Sequence, residues 1–125
     1  MKKRLIISLS VLVIIITLSI ISYYVTKSET ETISYLMSDI YNRISQNQIP
    51  TKEYPNLKKE WDKSKKIFNI FLVHGHINEL DTNIESMEKY MKAETLDELE
   101  ELCIRSIYLI DDLHHINKIS IDNIL

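Results

Sequence analysis

The feature that most constrains this chain is an uninterrupted apolar segment near its N-terminus. Residues 5–25 carry no charged side chain, and the nearest charges on either side are Arg4 and Lys27. A helix of this length rises about 1.5 Å per residue and spans roughly 30 Å, the thickness of a bilayer's hydrocarbon core. We therefore expect residues 5–25 to form a transmembrane anchor in contact with the lipid bilayer.

A cleaved signal peptide is the alternative interpretation of this segment. The apolar core of a signal peptide spans about 7–15 residues and is followed by small side chains at the cleavage site. The apolar run here is longer and ends in the bulky residues Tyr23, Tyr24 and Val25. Tyrosine is enriched where a retained helix meets the interface between lipid and water. The sequence therefore favours an anchor that stays in the protein.

The charges that flank the segment predict its orientation. Residues 1–4 hold three basic side chains, whereas Lys27 on the other side is accompanied by Glu29 and Glu31. The positive-inside rule places the more basic flank in the cytoplasm. We expect a single-pass protein of the plasma membrane, with residues 1–4 cytoplasmic and the C-terminal domain extracytoplasmic.

The remainder of the chain is acidic and poor in turn residues. From Ser28 onward, 11 basic and 18 acidic residues give a charge of −7, compared with −3 for the whole chain. A domain of this charge is repelled by phosphate backbones, so no nucleic-acid partner is expected. One glycine and two prolines disfavour a β-sandwich and favour long helices. With a single cysteine, no intramolecular disulfide can form, and stability must come from an apolar core.

Apolar periodicity after residue 25 predicts an all-α fold. Residues 26–49 carry an apolar stripe at helical spacing without a helix breaker, which predicts a helical stalk that continues the transmembrane helix as far as Pro50. Residues 51–125 are expected to form a small antiparallel bundle of about three helices with a C-terminal tail. The predicted elements are a helix from Thr51 or Tyr54 to His74, a helix from Asn78 to Ala93, a helix opened by the capping box Thr95–Glu98 and fading near Asn117, and the tail Lys118–Leu125.

Three stretches of this chain are similar to a known protein family. They are Trp61 in a Lys-rich helix, the run Phe71-Leu72-Val73-His74-Gly75-His76-Ile77, and the ending Asn123-Ile124-Leu125. Together with the short N-terminal anchor, they resemble domain of unknown function 4363, a family of membrane-anchored proteins of clostridia and related Gram-positive spore formers. The resemblance implies a helical architecture and a membrane location, and it implies no particular activity.

The histidines supply the candidate metal ligands. If the last two predicted helices form a hairpin that turns near Glu94, His74 lies level with Leu113, and His76 lies level with Asp111. Imidazole and carboxylate groups are ligands of zinc and similar ions. The candidate metal ligands are His74, His76, Asp111 and His114. The alternative interpretation is that these are ordinary histidines at the end of a bundle.

Trp61, Phe68 and Phe71 fall on one helix stripe and are expected to be core residues, or otherwise an anchor for an interaction. The sequence contains no glycine-rich phosphate loop and no nucleophile elbow, so it predicts no catalytic residue and no cofactor. It favours a non-enzymatic accessory or protein-interaction subunit of the cell envelope, with an integral membrane protein as its expected partner. A metal- or pH-responsive sensor subunit is the alternative, and an enzyme ranks third.

Overall fold

Four helices make up the fold of this protein. The computed structural model describes residues 1–71 and 74–124, and the side chains of these residues except those of Phe71, His74 and 120–124. The helices are α1 (Lys2–Ser45), α2 (Glu53–Phe71), α3 (His74–Lys92) and α4 (Leu96–Ile124). Within the described ranges the secondary structure contains no strand, and the predicted all-α class is confirmed.

Helix α1 is one continuous helix of 44 residues, about 66 Å long at the standard rise. Its first half is apolar, and the side chains of residues 5–15 are exposed because no other described helix covers them. By length and composition, α1 is the one described helix that could cross a membrane. The predicted continuity between the apolar segment and the residues that follow it is confirmed.

The second half of α1 belongs to the bundle. The side chains of Ile33, Met37, Ile40 and Ile44 are at most 2% exposed. Steps of three and four residues place them on one face of the helix, and α2 and α4 pack against α1. The segment predicted as a stalk therefore supplies the fourth helix, and the bundle has four helices rather than about three.

The four helices form a ring in which each helix packs against the next one and α4 packs back against α1. Short connections make neighbouring helices antiparallel, as in other up-and-down four-helix bundles. The two diagonal pairs do not pack against each other in the described part of the chain. The space between the helices is filled by apolar side chains, with Trp61, Leu57, Ile77, Leu80, Ile84, Met87, Leu99 and Ile110 among the most buried.

The helix ends differ in part from those that the sequence predicted. Helix α3 begins at His74 rather than Asn78 and includes Gly75, and α4 continues to Ile124 rather than fading near Asn117. Helix α4 begins one residue into the predicted capping box, but the Thr95 hydroxyl donates to the Tyr90 carbonyl at 3.4 Å. The Thr95 hydroxyl therefore bonds the turn to the last part of α3 instead of capping the N-terminus of α4.

Candidate functional site

Two hydrogen bonds define how α1 and α4 lie against each other. The Cys103 thiol is 3.7 Å from the Met37 carbonyl oxygen, and the Asn117 side-chain amide donates to the Tyr23 carbonyl at 3.1 Å. Moving 14 residues back along α1, from Met37 to Tyr23, therefore moves 14 residues forward along α4, from Cys103 to Asn117. The two helices are antiparallel and keep one register over this whole length.

An open groove of about 370 Å³ runs between α1 and α4 in this register. It is lined by Thr30, Glu31, Ser34 and Tyr35 of α1 and by Ile110, Asp111 and His114 of α4. Its walls carry carboxylate, imidazole, hydroxyl and phenol groups, and its floor includes the buried side chain of Ile110. Such a surface can accept hydrogen bonds at its rim and apolar contacts at its centre.

The structure brings together only part of the predicted set of metal ligands. Asp111 and His114 line the groove, whereas His76 belongs to α3, which contributes no residue to it. The side chain of His74 lies outside the described side chains. Among the described residues, no three His, Cys, Asp or Glu side chains lie where they could hold one metal ion. Metal binding by these residues therefore stays a prediction.

Two exposed tyrosines lie on the helices that form the groove: Tyr35 lines it, and Tyr108 precedes its lining residue Asp111 by three residues on α4. The side chains of Tyr35 and Tyr108 are each 68% exposed, and Ile104 is also exposed. On α4, Ile104, Tyr108 and Asp111 are spaced by four and three residues, so they share one side of the helix. The register of α1 and α4 places Tyr35 within one turn of the level of Ile104 and Tyr108. We call the surface formed by Tyr35, Ile104, Tyr108 and Asp111 the tyrosine face.

Sequence reasoning did not single out Tyr35 and Tyr108. The spacing of Ile104, Tyr108 and Asp111 by four and three residues indicates that they share one side of a single helix. Recognising that Tyr35 lies beside them required the pairing of α1 with α4. The sequence-based prediction of a helical stalk at residues 26–49 did not include that pairing.

Polar side chains join α1, α2 and α3 on the other side of the bundle. The Trp61 indole N–H donates to Asp81 Oδ1 at 2.8 Å, and the Lys65 ammonium lies 3.3 Å from the same oxygen. The buried Ser64 hydroxyl donates to the Glu29 carboxylate. Trp61 is fully buried and therefore a core residue. Its indole N–H is paired with a charged acceptor, and this hydrogen bond fixes the orientation of the ring.

Burial also sets the ionisation of two core groups. Desolvation raises the pKa of the Cys103 thiol to about 12. Desolvation likewise raises the pKa of Tyr54 to about 12, and its hydroxyl donates to the Ile84 carbonyl at 2.7 Å. Both groups are therefore protonated near neutral pH, and neither supplies an anionic nucleophile there.

These features define a class of protein: a four-helix bundle whose first helix continues into an exposed apolar segment. The sequence model of the family described as Domain of unknown function (DUF4363) matches residues 20–124, and the chain belongs to this family. No curated protein and no solved structure matches the chain. The family match begins before residue 26, so it includes the part of α1 that packs into the bundle along with α2, α3 and α4.

Proposed function

We propose that this protein is a single-pass membrane protein whose extracytoplasmic four-helix bundle acts as a non-enzymatic accessory subunit of a Gram-positive cell envelope. Its partner is an integral membrane protein that binds the tyrosine face. The observation that carries the proposal is the exposure of Tyr35, which lines the groove between α1 and α4, and of Tyr108 on α4.

The membrane part of the proposal rests on the apolar half of α1. Burying apolar surface is worth about 25 cal/mol per Å², so a segment of this length strongly favours lipid over water. The exposed side chains between Leu5 and Ile15 include leucine, isoleucine and valine on all sides of the helix. The three basic residues before Leu5 support a cytoplasmic N-terminus.

The interaction part rests on the chemistry of the tyrosine face. Tyrosine is enriched at protein interfaces, because its ring buries a large apolar area while its hydroxyl keeps a hydrogen bond. Among the described residues after Val25, the other large apolar side chains that stay exposed are Ile70 and Ile119. Glu31 and Asp111 place carboxylates beside the tyrosines. We therefore expect the partner to present an apolar patch edged by lysine or arginine.

The proposed topology predicts an active reporter outside the cytoplasm. A phosphatase that works only outside the cytoplasm, fused after Leu125, should be active, and the mature protein should begin at or next to Met1. A fluorescent protein that matures only in the cytoplasm, fused at the same place, is the control and should stay dark. A bright fluorescent fusion would contradict the orientation, and an N-terminus shortened past Val25 would contradict the anchor.

The proposed interface predicts site-specific crosslinking in cells. A photoreactive phenylalanine analogue at Tyr35 or Tyr108 should capture the same membrane protein, because both side chains are exposed on the tyrosine face. The same analogue at Thr82, exposed on α3 diagonally across the bundle from α1, is the control and should not capture it. Equal capture from all three positions would contradict the proposed interface.

Substitutions can then measure what the tyrosine face contributes. The double change Tyr35→Ser and Tyr108→Ser should reduce recovery of the captured partner at least tenfold, since aromatic anchors at an interface are often worth about 2 kcal/mol or more each. The bundle should melt at an unchanged temperature, because both side chains are exposed. Ile70→Ser removes an exposed apolar side chain elsewhere and should leave recovery unchanged.

A metal-responsive subunit is the second candidate. One observation favours it: Glu31, Asp111 and His114 line the same groove. These side chains would need to move closer together to share one ion. Thermal melts with and without zinc separate the two candidates. A stabilisation by zinc that disappears in His114→Gln would favour the sensor over the interaction subunit.

A further inference from the structure

Helix α4 is longer than the bundle core that it helps to form. Asn117, whose amide donates to the Tyr23 carbonyl, is only 4% exposed, yet α4 continues for seven more residues to Ile124. In the antiparallel register of α1 and α4, Ile124 is therefore level with Ile16, seven residues before Tyr23. The backbone of residues 118–124 therefore runs beside residues 16–22 of α1, within the apolar segment.

The exposure of α1 supports this placement independently. Ile16 and Ser19 are half-buried, whereas Ile15 and Leu18 are exposed. The steps from Ile16 to Ser19 and from Ser19 to Tyr23 are three and four residues, so the covered positions lie on one face of α1. This is also the face on which the Tyr23 carbonyl accepts the Asn117 amide.

Helix α4 is the described helix that reaches this face. The hydrogen bond between Ser64 and Glu29 places these two residues at the same level of α2 and α1. Helix α2 ends at Phe71, seven residues after Ser64, and Phe71 is therefore level with Ser22. Helix α2 therefore stops before residues 16–19. Helix α3 starts at His74 on the far side of the turn from α2 and does not pack against α1 in the described part of the chain.

We propose that residues 118–124 of α4 enter the outer half of the same bilayer that α1 crosses, and thereby seat the bundle directly on the lipid surface. The inference rests on the proposed anchor. It adds a second lipid-contacting element, contributed by the opposite end of the chain.

The depth of this end fits the outer half of the bilayer. Seven residues of helix extend about 10 Å, whereas each half of the hydrocarbon core is roughly 15 Å thick. Ile119 is 46% exposed and lies level with Ile21, which is 51% exposed, so two apolar side chains share one level. Lys118 is exposed one residue earlier, where its stem can lie along lipid and its ammonium can reach phosphate.

Three buried polar side chains just above this level are paired, as a low-polarity environment requires. The buried Asn117 amide donates to Tyr23, and the buried Thr26 hydroxyl donates to the Ser22 carbonyl at 2.7 Å. Thr30 donates to the Thr26 carbonyl at 2.6 Å. The buried polar side chains of the bundle next to the apolar segment are therefore satisfied.

Depth-dependent quenching tests the proposal on the full chain. Single cysteines are introduced in a Cys103→Ala background as Ile119→Cys, Lys118→Cys, Leu12→Cys and Tyr108→Cys, and each is labelled with an environment-sensitive fluorophore. The proteins are reconstituted in vesicles of phosphatidylcholine and phosphatidylglycerol, with a nitroxide quencher on the acyl chain near the headgroup. Leu12 reports the anchor, and Tyr108 is the matched position on α4 outside the membrane.

We expect quenching at position 119 or 118 of at least half the value at position 12, and quenching at position 108 of no more than a tenth of it. If the label at position 12 is quenched but the labels at positions 118 and 119 are quenched as weakly as the label at position 108, the placement of α4 in the bilayer is wrong and the anchor is still supported. Absence of quenching at 12 would overturn both proposals. Self-quenching between labels at 119 without lipid quenching would show that a second copy covers this end, which also overturns the proposal.

Discussion

Replacing Trp61 with alanine is expected to lower the free energy of unfolding by about 3–5 kcal/mol, the usual cost of removing a buried large aromatic side chain. The indole is fully buried, and its ring centroid lies 6.0 Å from that of Phe68. Its removal leaves a cavity in the core where α2 meets α3 and also leaves Asp81 without its indole donor. Denaturant unfolding of the full chain in detergent, followed by far-ultraviolet circular dichroism, measures the loss.

Trp61→Phe is the matched variant. It keeps most of the apolar volume and removes the N–H that donates to Asp81. A hydrogen bond to a charged group contributes about 1.5–3 kcal/mol, so the phenylalanine variant should be less destabilised than the alanine variant. Unfolding curves of both variants that coincide with the unmodified chain would show that the indole is exposed in solution and that its assignment to the core is wrong.

Ile40→Ala is expected to destabilise the bundle by about 2–5 kcal/mol, because the side chain is fully buried and its loss leaves a cavity. This result would not follow if residues 26–49 formed a stalk outside the bundle. Exposed helix positions usually change stability by less than about 0.5 kcal/mol. The same unfolding measurement therefore distinguishes a bundle helix from a stalk.

Ser38→Ala is the control for this prediction, since Ser38 is exposed on the same helix close to Ile40. Its unfolding midpoint should stay close to that of the unmodified chain. Equal midpoints for Ile40→Ala and Ser38→Ala would contradict the packing of α1 against α2 and α4.

Much of the fold could be predicted from local sequence signals. The helical stripes, the near absence of glycine and proline, and the absence of a breaker after Val25 together predict long helices and a continuous α1. The run Thr95–Glu98 predicts the start of α4 to within one residue. These signals are local, because they depend on helical periodicity and on backbone preferences within one or two turns.

The role of the second half of α1 could not be predicted in the same way. The stripe of Ile33, Met37, Ile40 and Ile44 shows that one face must be covered, but it does not identify the surface that covers it. A partner protein and the rest of the same chain both satisfy that pattern. In the structure α2 and α4 cover it, through contacts between residues far apart in sequence, such as Met37 and Cys103.

The candidate site illustrates the same limit. An antiparallel α3–α4 pair could be predicted from the turn near Glu94, which has a positive φ of 56°. The hairpin predicts the level of a residue along the bundle, but not the neighbour that its side chain faces. Asp111 and His114 line a groove with α1, whereas the histidine hypothesis paired them with residues of α3.

The unbroken helix α1 also sets the height at which this protein can meet a partner. Tyr35 lies ten residues beyond Val25, about 15 Å along the axis, and the last residue of the helix, Ser45, lies about 30 Å from Val25. On the proposed topology, every binding surface of the bundle therefore falls within a layer roughly 30 Å deep against the membrane. An integral protein with short external loops reaches that layer, whereas a domain held farther out on its own spacer does not.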